Sequence, residues 1–382
     1  MTNRHLEYLG NIEQDTDAQD IAVNTIEYRK CLNNQVFELL SSLRTISAEP
    51  IDKVFSGTKY RISSVDGKTY TIKPFANKLW DLIMLKFTEL IHYNIKKKSY
   101  DWDDDERMRI YLSVQTIAEC LGLSDSVNSM TQLYNRIANA AEILQNINIT
   151  INHIQIDGYL ECVAVRDYSN TQGEHITKSN AIFLFIINPA LIEYIRFQSV
   201  GLYHFNHRWL HMTGQCQNTY AAAKRFGRHY SQNTNKRKNE KNIDTTMDLG
   251  TLRNYLPCLH NKSDKDNRVA LDNALKSIPN ATVTYTFRNK EITFDELKKL
   301  QLHKDQFNRV RVDVKFDKHP NTSNNRVTDD LIRQMNEDSF YYVSSFYYLE
   351  DTNHAINHSG CIKKRDTETQ ELTYQIKEST TE

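Results

Sequence analysis

The sequence predicts an α+β protein in which one plan occurs twice in tandem, between polar terminal extensions. Three observations carry this prediction. Residues 113–144 read as helix, short turn, helix, and strand patterns follow them. Residues 219–278 give a helical pattern, a polar basic break and two further short helical patterns, again followed by strands. Both ends are acidic, with five basic and nine acidic residues from Met1 to Phe55, and five and eleven from Asp329 to Glu382. That bias sets them apart from the repeated plan. The divisions that follow are an N-terminal extension at 1–56, a first domain at 57–200, a second domain at 201–326 and a C-terminal extension at 327–382.

In the extension, VFELLSSL supports a short helix within a loosely packed leader. KYRISSV and KTYTIKPF flank Asp66-Gly67, a strong turn dipeptide, and read as a hairpin ended by Pro74. A helix follows from about Asn77, apolar around much of its circumference and therefore buried. The Lys96–Lys98 run and the acidic run of Asp101–Glu106 oppose each other in charge and read as a solvated loop. The carboxylates Asp103–Asp105 are of the type that binds a divalent cation, but nothing nearby completes an octahedral site.

Ser113 is placed to cap the helix VQTIAECL, and Gly122 to end it. A second helix from about Met130 puts Leu133, Ile137, Ala140, Ala141 and Leu144 on one face. The strands NITINHIQI and YLECVAVRDY, joined by Asp157-Gly158, would complete three helices and a hairpin, which is a winged helix. AIFLFII, from Ala181, would extend the sheet. With Arg136 as its main cation, this copy suits packing or dimerisation better than base contact.

The second copy carries the charge. From Arg208 to Lys241 stand eight Lys/Arg and one acid, a local +7 in a chain whose 48 basic and 48 acidic residues cancel. In TYAAAKRFGRHY, Tyr220, Ala223, Phe226, Gly227 and Tyr230 share one side of a helical wheel, while Lys224, Arg225 and Arg228 share the other. Such a helix offers a phosphate footprint, continued by Lys236, Arg237, Lys238 and Lys241. In the last short helix, Leu271, Ala274, Leu275 and Ile278 face a core. Lys262, Lys265 and Lys276 lie opposite with Asp272 among them and Arg268 at the flank, and this helix would enter the major groove. RVRVDVKF alternates, so Arg309 and Arg311 point outward within phosphate reach. Removal of Lys224 and Arg228 together is then expected to weaken binding to every sequence and flatten its salt dependence.

Other chemistries find little footing. The chain has no phosphate-binding GxxxxGK[ST] loop, no GxGxxG after a strand and no His-x-His pair. His204, His207, His211 and Cys216, and likewise His354, His358 and Cys361, have spacings a metal site could use, but ordinary packing explains them better. No metal, cofactor or catalytic residue is expected. No apolar run nears a membrane span and no signal peptide is evident, and the scattered cysteines fit a reduced cytoplasm.

In order of parts, residues 75–316 resemble the plasmid replication initiators of the tandem winged-helix, iteron-binding type. The resemblance rests on LSVQTIAECLGLS and LYNRIANAAEILQNINITI in the first copy, and on NTYAAAKRFGRHY, LGTLRNYLPCL and NRVALDNALKSI in the second. Tyr220, Ala221, Arg225 and Tyr230 fit the place of a Tyr-Ala helix rich in Arg and Tyr that precedes the family's second helix-turn-helix. The resemblance implies non-enzymatic binding of repeated origin sequences in double-stranded DNA. It further implies dimerisation through the first domain and recruitment of host replication proteins. A winged-helix transcriptional regulator and a metal-dependent nuclease or strand-transfer enzyme are the alternatives.

Overall fold

The computed structural model describes residues 28–33, 35–55, 57–97, 109–123, 126–151, 154–165, 168–169, 175–196, 201–212, 217–236, 245–257, 264–300, 302–316, 355–357, 362–365 and 372–375. The fold is mixed α and β, with every strand pair antiparallel among the described residues.

Strand β1 (Tyr28–Asn33), helix α1 (Gln35–Leu39) and a 3-10 turn (Leu40–Ser42) come first. Val36, Leu39 and Leu40 are fully buried, so this segment belongs to the core and is no loose leader. Strands β2 (Ile51–Phe55) and β3 (Thr58–Ser64) pair with each other. The hairpin expected around Asp66-Gly67 does not form. That dipeptide does turn the chain, with the Lys68 amide donating to Asp66 Oδ1 at 3.0 Å. The strand before it takes its partners elsewhere, and Tyr70–Thr71 pairs with Thr45–Ile46.

Helix α2 (Pro74–Lys97) opens on Pro74, whose missing N–H costs nothing at a helix start. Strand β4 (Arg109–Ser113) leads into α3 (Val114–Cys120), where the Ser113 side chain accepts from the Thr116 amide as expected. Gly122 ends the turn at φ +62°. Helix α4 (Val127–Gln145) starts three residues before the pattern suggested, because Ser126 caps it.

The two strands after α4 also part company with expectation. β5 (Ile147–Ile151) and β6 (Ile154–Asp157) are a hairpin with each other and extend the β2–β3 sheet. β7 (Leu160–Val165) instead pairs with β8 (Ile182–Ile187), which pairs in turn with β4. Asp157-Gly158 therefore carries the chain between sheets. Gly158 sits at φ +79°, and a Cβ there would lie 2.6 Å from the Gln145 carbonyl oxygen. Gly158→Ala is expected to cost about 1–3 kcal/mol from backbone strain and that collision, measured as a fall in the urea midpoint at unchanged slope. β8 is apolar on nearly every residue because both faces are covered.

Helix α5 (Pro189–Arg196), strand β9 (Gly201–Asn206) and a 3-10 turn (His207–His211) connect to the second unit, and β9 pairs with β1. Then come α6 (Gln217–Lys236), β10 (Met247–Asp248), α7 (Leu249–Asn254), α8 (Asp264–Lys276) and β11 (Ala281–Phe287). β12 (Lys290–Ile292), α9 (Phe294–Lys299), α10 (Lys304–Asn308) and β13 (Arg311–Phe316) complete it. The sheet runs β10–β13–β11–β12.

The two units share one wiring. In the first, helix, strand, helix, helix, strand, strand are α2, β4, α3, α4, β7 and β8, and the last strand lies between the other two. In the second, α6, β10, α7, α8, β11 and β13 repeat the order and the pairing. The units differ in what is inserted. The β5–β6 hairpin interrupts the first, and β12, α9 and α10 interrupt the second.

Candidate nucleic-acid interface

Helix α6 was expected to bury one side and offer its cations from the other. It buries both. Tyr220, Ala223 and Phe226 are in the core as the wheel indicates, and Lys224 and Arg228 are only 2% and 3% exposed. Lys224 Nζ lies 2.6 Å from Asp81 Oδ1 and 2.7 Å from Oδ2, with Ser41 Oγ at 3.2 Å. The Tyr220 hydroxyl donates to the same carboxylate at 2.6 Å. Arg228 pairs with buried Glu38, and Arg225 approaches that carboxylate at 3.5 Å while stacking 4.0 Å over the Tyr255 ring. Lys224, Arg225 and Arg228 are thus internal ties to α1, α2 and α7, and Lys224 and Arg228 are too buried to reach a phosphate. Their partners lie far away in sequence, which a wheel cannot register.

Burial pushes the Asp81 carboxyl above the usual carboxylate range, while the Lys224 ammonium and Tyr220 hydroxyl pull it back down. Lys78, on the same helix, donates to the carbonyls of Leu210 and Met212. Burial lowers its ammonium to about 8.

Lys236 falls in the last turn of α6, and Lys265 in the first turn of α8, but their side chains lie outside the described residues, as do Arg237, Lys238, Lys241 and Lys262 entirely. Arg268 is engaged: Nη2 donates to the Leu302 carbonyl at 2.6 Å and the guanidinium lies 4.5 Å over Phe307. It fastens α8 to the segment around α10. Asp272 is buried and accepts from the Tyr285 hydroxyl at 2.8 Å, which locks α8 onto β11. Lys276 pairs with Asp272 at 2.8 Å yet keeps 57% of its side chain exposed. Arg311 is exposed on β13 and Arg309 is exposed at the end of α10, ahead of that strand.

The described surface adds cations that periodicity did not single out. Arg288, Lys290, Lys298, Lys299 and Lys304 are all exposed. From Arg288 to Lys315 eight basic residues face five acidic ones. The signal available was the insertion itself: a turn and two short helices between paired strands, each too short for an amphipathic pattern. On β13, exposed Arg311 and Lys315 stand opposite Thr286 and Thr282, while Asp313 between them, opposite Thr284, is buried and accepts from Thr245 Oγ1 at 2.6 Å. Exposed second-unit cations thus extend from α8 through β13, among them Lys276, Lys298 and Lys315, which lie in ion pairs with Asp272, Asp295 and Asp313.

In the first unit Arg136 is exposed on α4 with its guanidinium 4.4 Å over the Phe75 ring. Among the described residues no three His, Cys, Asp or Glu side chains gather as a metal site. Cys216, His354, His358, Cys361 and Asp103–Asp105 lie outside those residues. No helix among the described residues is long and apolar enough to cross a membrane.

No family model matches the chain, and no curated protein matches it. Among solved structures it is similar to the selenomethionine derivative of domains 2 and 3 of RctB, at 14% identity and a TM-score of 0.37, over 70% of this chain and 91% of that one.

Proposed function

We propose that both units are winged helices and that the protein is a plasmid replication initiator. The second unit binds repeated origin sequences in double-stranded DNA, and the first contributes dimerisation and auxiliary contact. The observation that carries this reading is the repeated wiring, helix–strand–helix–helix–strand–strand with the last strand central. In that plan the third helix enters the major groove. In the second unit it is α8, beside the exposed cations of the β11–β13 region. The protein works by binding and by recruiting host replication proteins in the cytoplasm, with no catalytic step and no cofactor.

The test is a gel-shift and footprint on DNA from around the protein's own coding region, with increasing salt. A ladder of protected direct repeats is expected. Lys290→Ala with Arg309→Ala is expected to weaken binding to all duplexes and to reduce the salt slope by about 2. A single protected palindrome would replace the initiator with a transcriptional regulator, and no binding at moderate salt would end the DNA-binding reading.

A further inference from the structure

From Arg268 to Lys276, the part of helix α8 whose side chains are described, one narrow strip faces outward. Leu271, Ala274 and Leu275 are in the core, and Asp272 and Arg268 are held by Tyr285 and Leu302. Val269, Asn273 and Lys276 remain exposed, at spacings of four and three that place them on one face. Val269 is 39% exposed, among the few large apolar side chains that reach solvent in the described residues. The Asn273 carboxamide has no hydrogen-bond partner among the described residues; only its backbone carbonyl accepts, from Ser277 Oγ at 2.7 Å. Val269 is also a mediocre helix former, so helix propensity does not account for its place on this face.

We propose that Val269 and Asn273 are the sequence-reading pair of this helix, with Asn273 on an adenine and Val269 against a thymine methyl. This rests on the reading of α8 as the helix that enters the major groove. An Asn carboxamide donates to N7 and accepts from the N6 amino group, a pairing that adenine alone presents at the major-groove edge. The thymine C5-methyl is the apolar feature of that edge, and an exposed isopropyl group complements it. Four residues of helix rise about 6 Å, roughly two base-pair steps of about 3.4 Å. The two side chains therefore meet base pairs about two steps apart. Lys276, tethered to Asp272, supplies a point charge suited to a phosphate.

The full chain is used to select from a pool of duplexes with a randomised core, and selection is repeated with Asn273→Ala and Val269→Ala. Circular dichroism confirms that both variants fold. The unaltered chain is expected to enrich a motif containing adenine and thymine about two steps apart. Asn273→Ala is expected to lose preference at the adenine, and Val269→Ala at the thymine, each by about 5- to 150-fold, with binding to random duplex unchanged. A motif that both variants retain unaltered would overturn the assignment of these residues and leave DNA binding by the protein standing. Relaxation at a G·C pair would overturn the adenine–thymine assignment. Enrichment of no motif by the unaltered chain would overturn this inference together with the reading it rests on.

Discussion

Lys224→Met is expected to destabilise the protein by about 3–5 kcal/mol, because it leaves the Asp81 carboxylate buried without its counter-ion. The measurement is urea unfolding at neutral pH. Its control is Lys224→Met combined with Asp81→Leu, which replaces the whole pair by apolar volume and is expected to recover most of the loss. The deficit also has a pH signature. Burial already raises the Asp81 carboxyl, and removing Lys224 removes the main opposing pull. A carboxyl whose folded pKa exceeds its unfolded value binds its proton more tightly when folded, so stability falls as pH rises through that window. The variant's deficit is therefore smallest in acid and widens toward neutral pH. A variant that folds with wild-type stability but binds DNA with a shallower salt slope would instead return Lys224 to the surface role that its helical wheel suggested.

The second large effect is expected at Trp209. Its ring is 1% exposed, 5.3 Å from Phe205 and 5.5 Å from Phe316, and it lies flush against the backbone of α6 at Gly227. Trp209→Ala is expected to cost about 3–5 kcal/mol through lost burial and the cavity left behind. A methyl group at Gly227 would collide with the indole, so Gly227→Ala alone is expected to cost about 1–3 kcal/mol by overpacking. In the Trp209→Ala background the collision is gone and that cost vanishes. A double-mutant cycle on thermal or denaturant unfolding reads the coupling directly. Additive losses would mean that the indole does not rest on Gly227.

Local signals in the chain were dependable, and partners distant in sequence were not. The Ser113 cap, the Gly122 stop and the apolar faces of α4 and α8 were legible because each depends on residues within one or two turns. The dipeptides Asp66-Gly67 and Asp157-Gly158 do turn the chain, yet the strands beside them pair with 51–55, 147–151 and 182–187. Nothing within either dipeptide encodes that choice. The basic side of α6 misled for the same reason. A helical wheel separates apolar from charged residues, but it cannot tell a cation facing water from one facing Glu38 or Asp81. At the candidate interface, alternation gave the exposure of Arg311 and Lys315 on β13 but not the burial of Asp313, which accepts from Thr245 Oγ1 at 2.6 Å. The engagement of Arg268 needed the Leu302 carbonyl and the Phe307 ring in view.

The pairing of β1 with β9 has a bearing on how the protein is made. Tyr28 lies against Asn206 and Asn33 against Gly201. On a ribosome adding about 5–20 residues per second, Asn206 is synthesised roughly 10–40 s after Tyr28. Throughout that interval the first strand lacks its native strand partner. Glu38 waits longer still for Arg228, and Asp81 waits a shorter but comparable time for Lys224. Contacts of such long sequence separation form late and slowly, so the nascent chain carries an unpaired strand and two unmatched acids until its second half emerges. Truncation before β9 is thus expected to leave a product that chaperones bind, whereas release after β13 lets the amino-terminal segment dock in a final step.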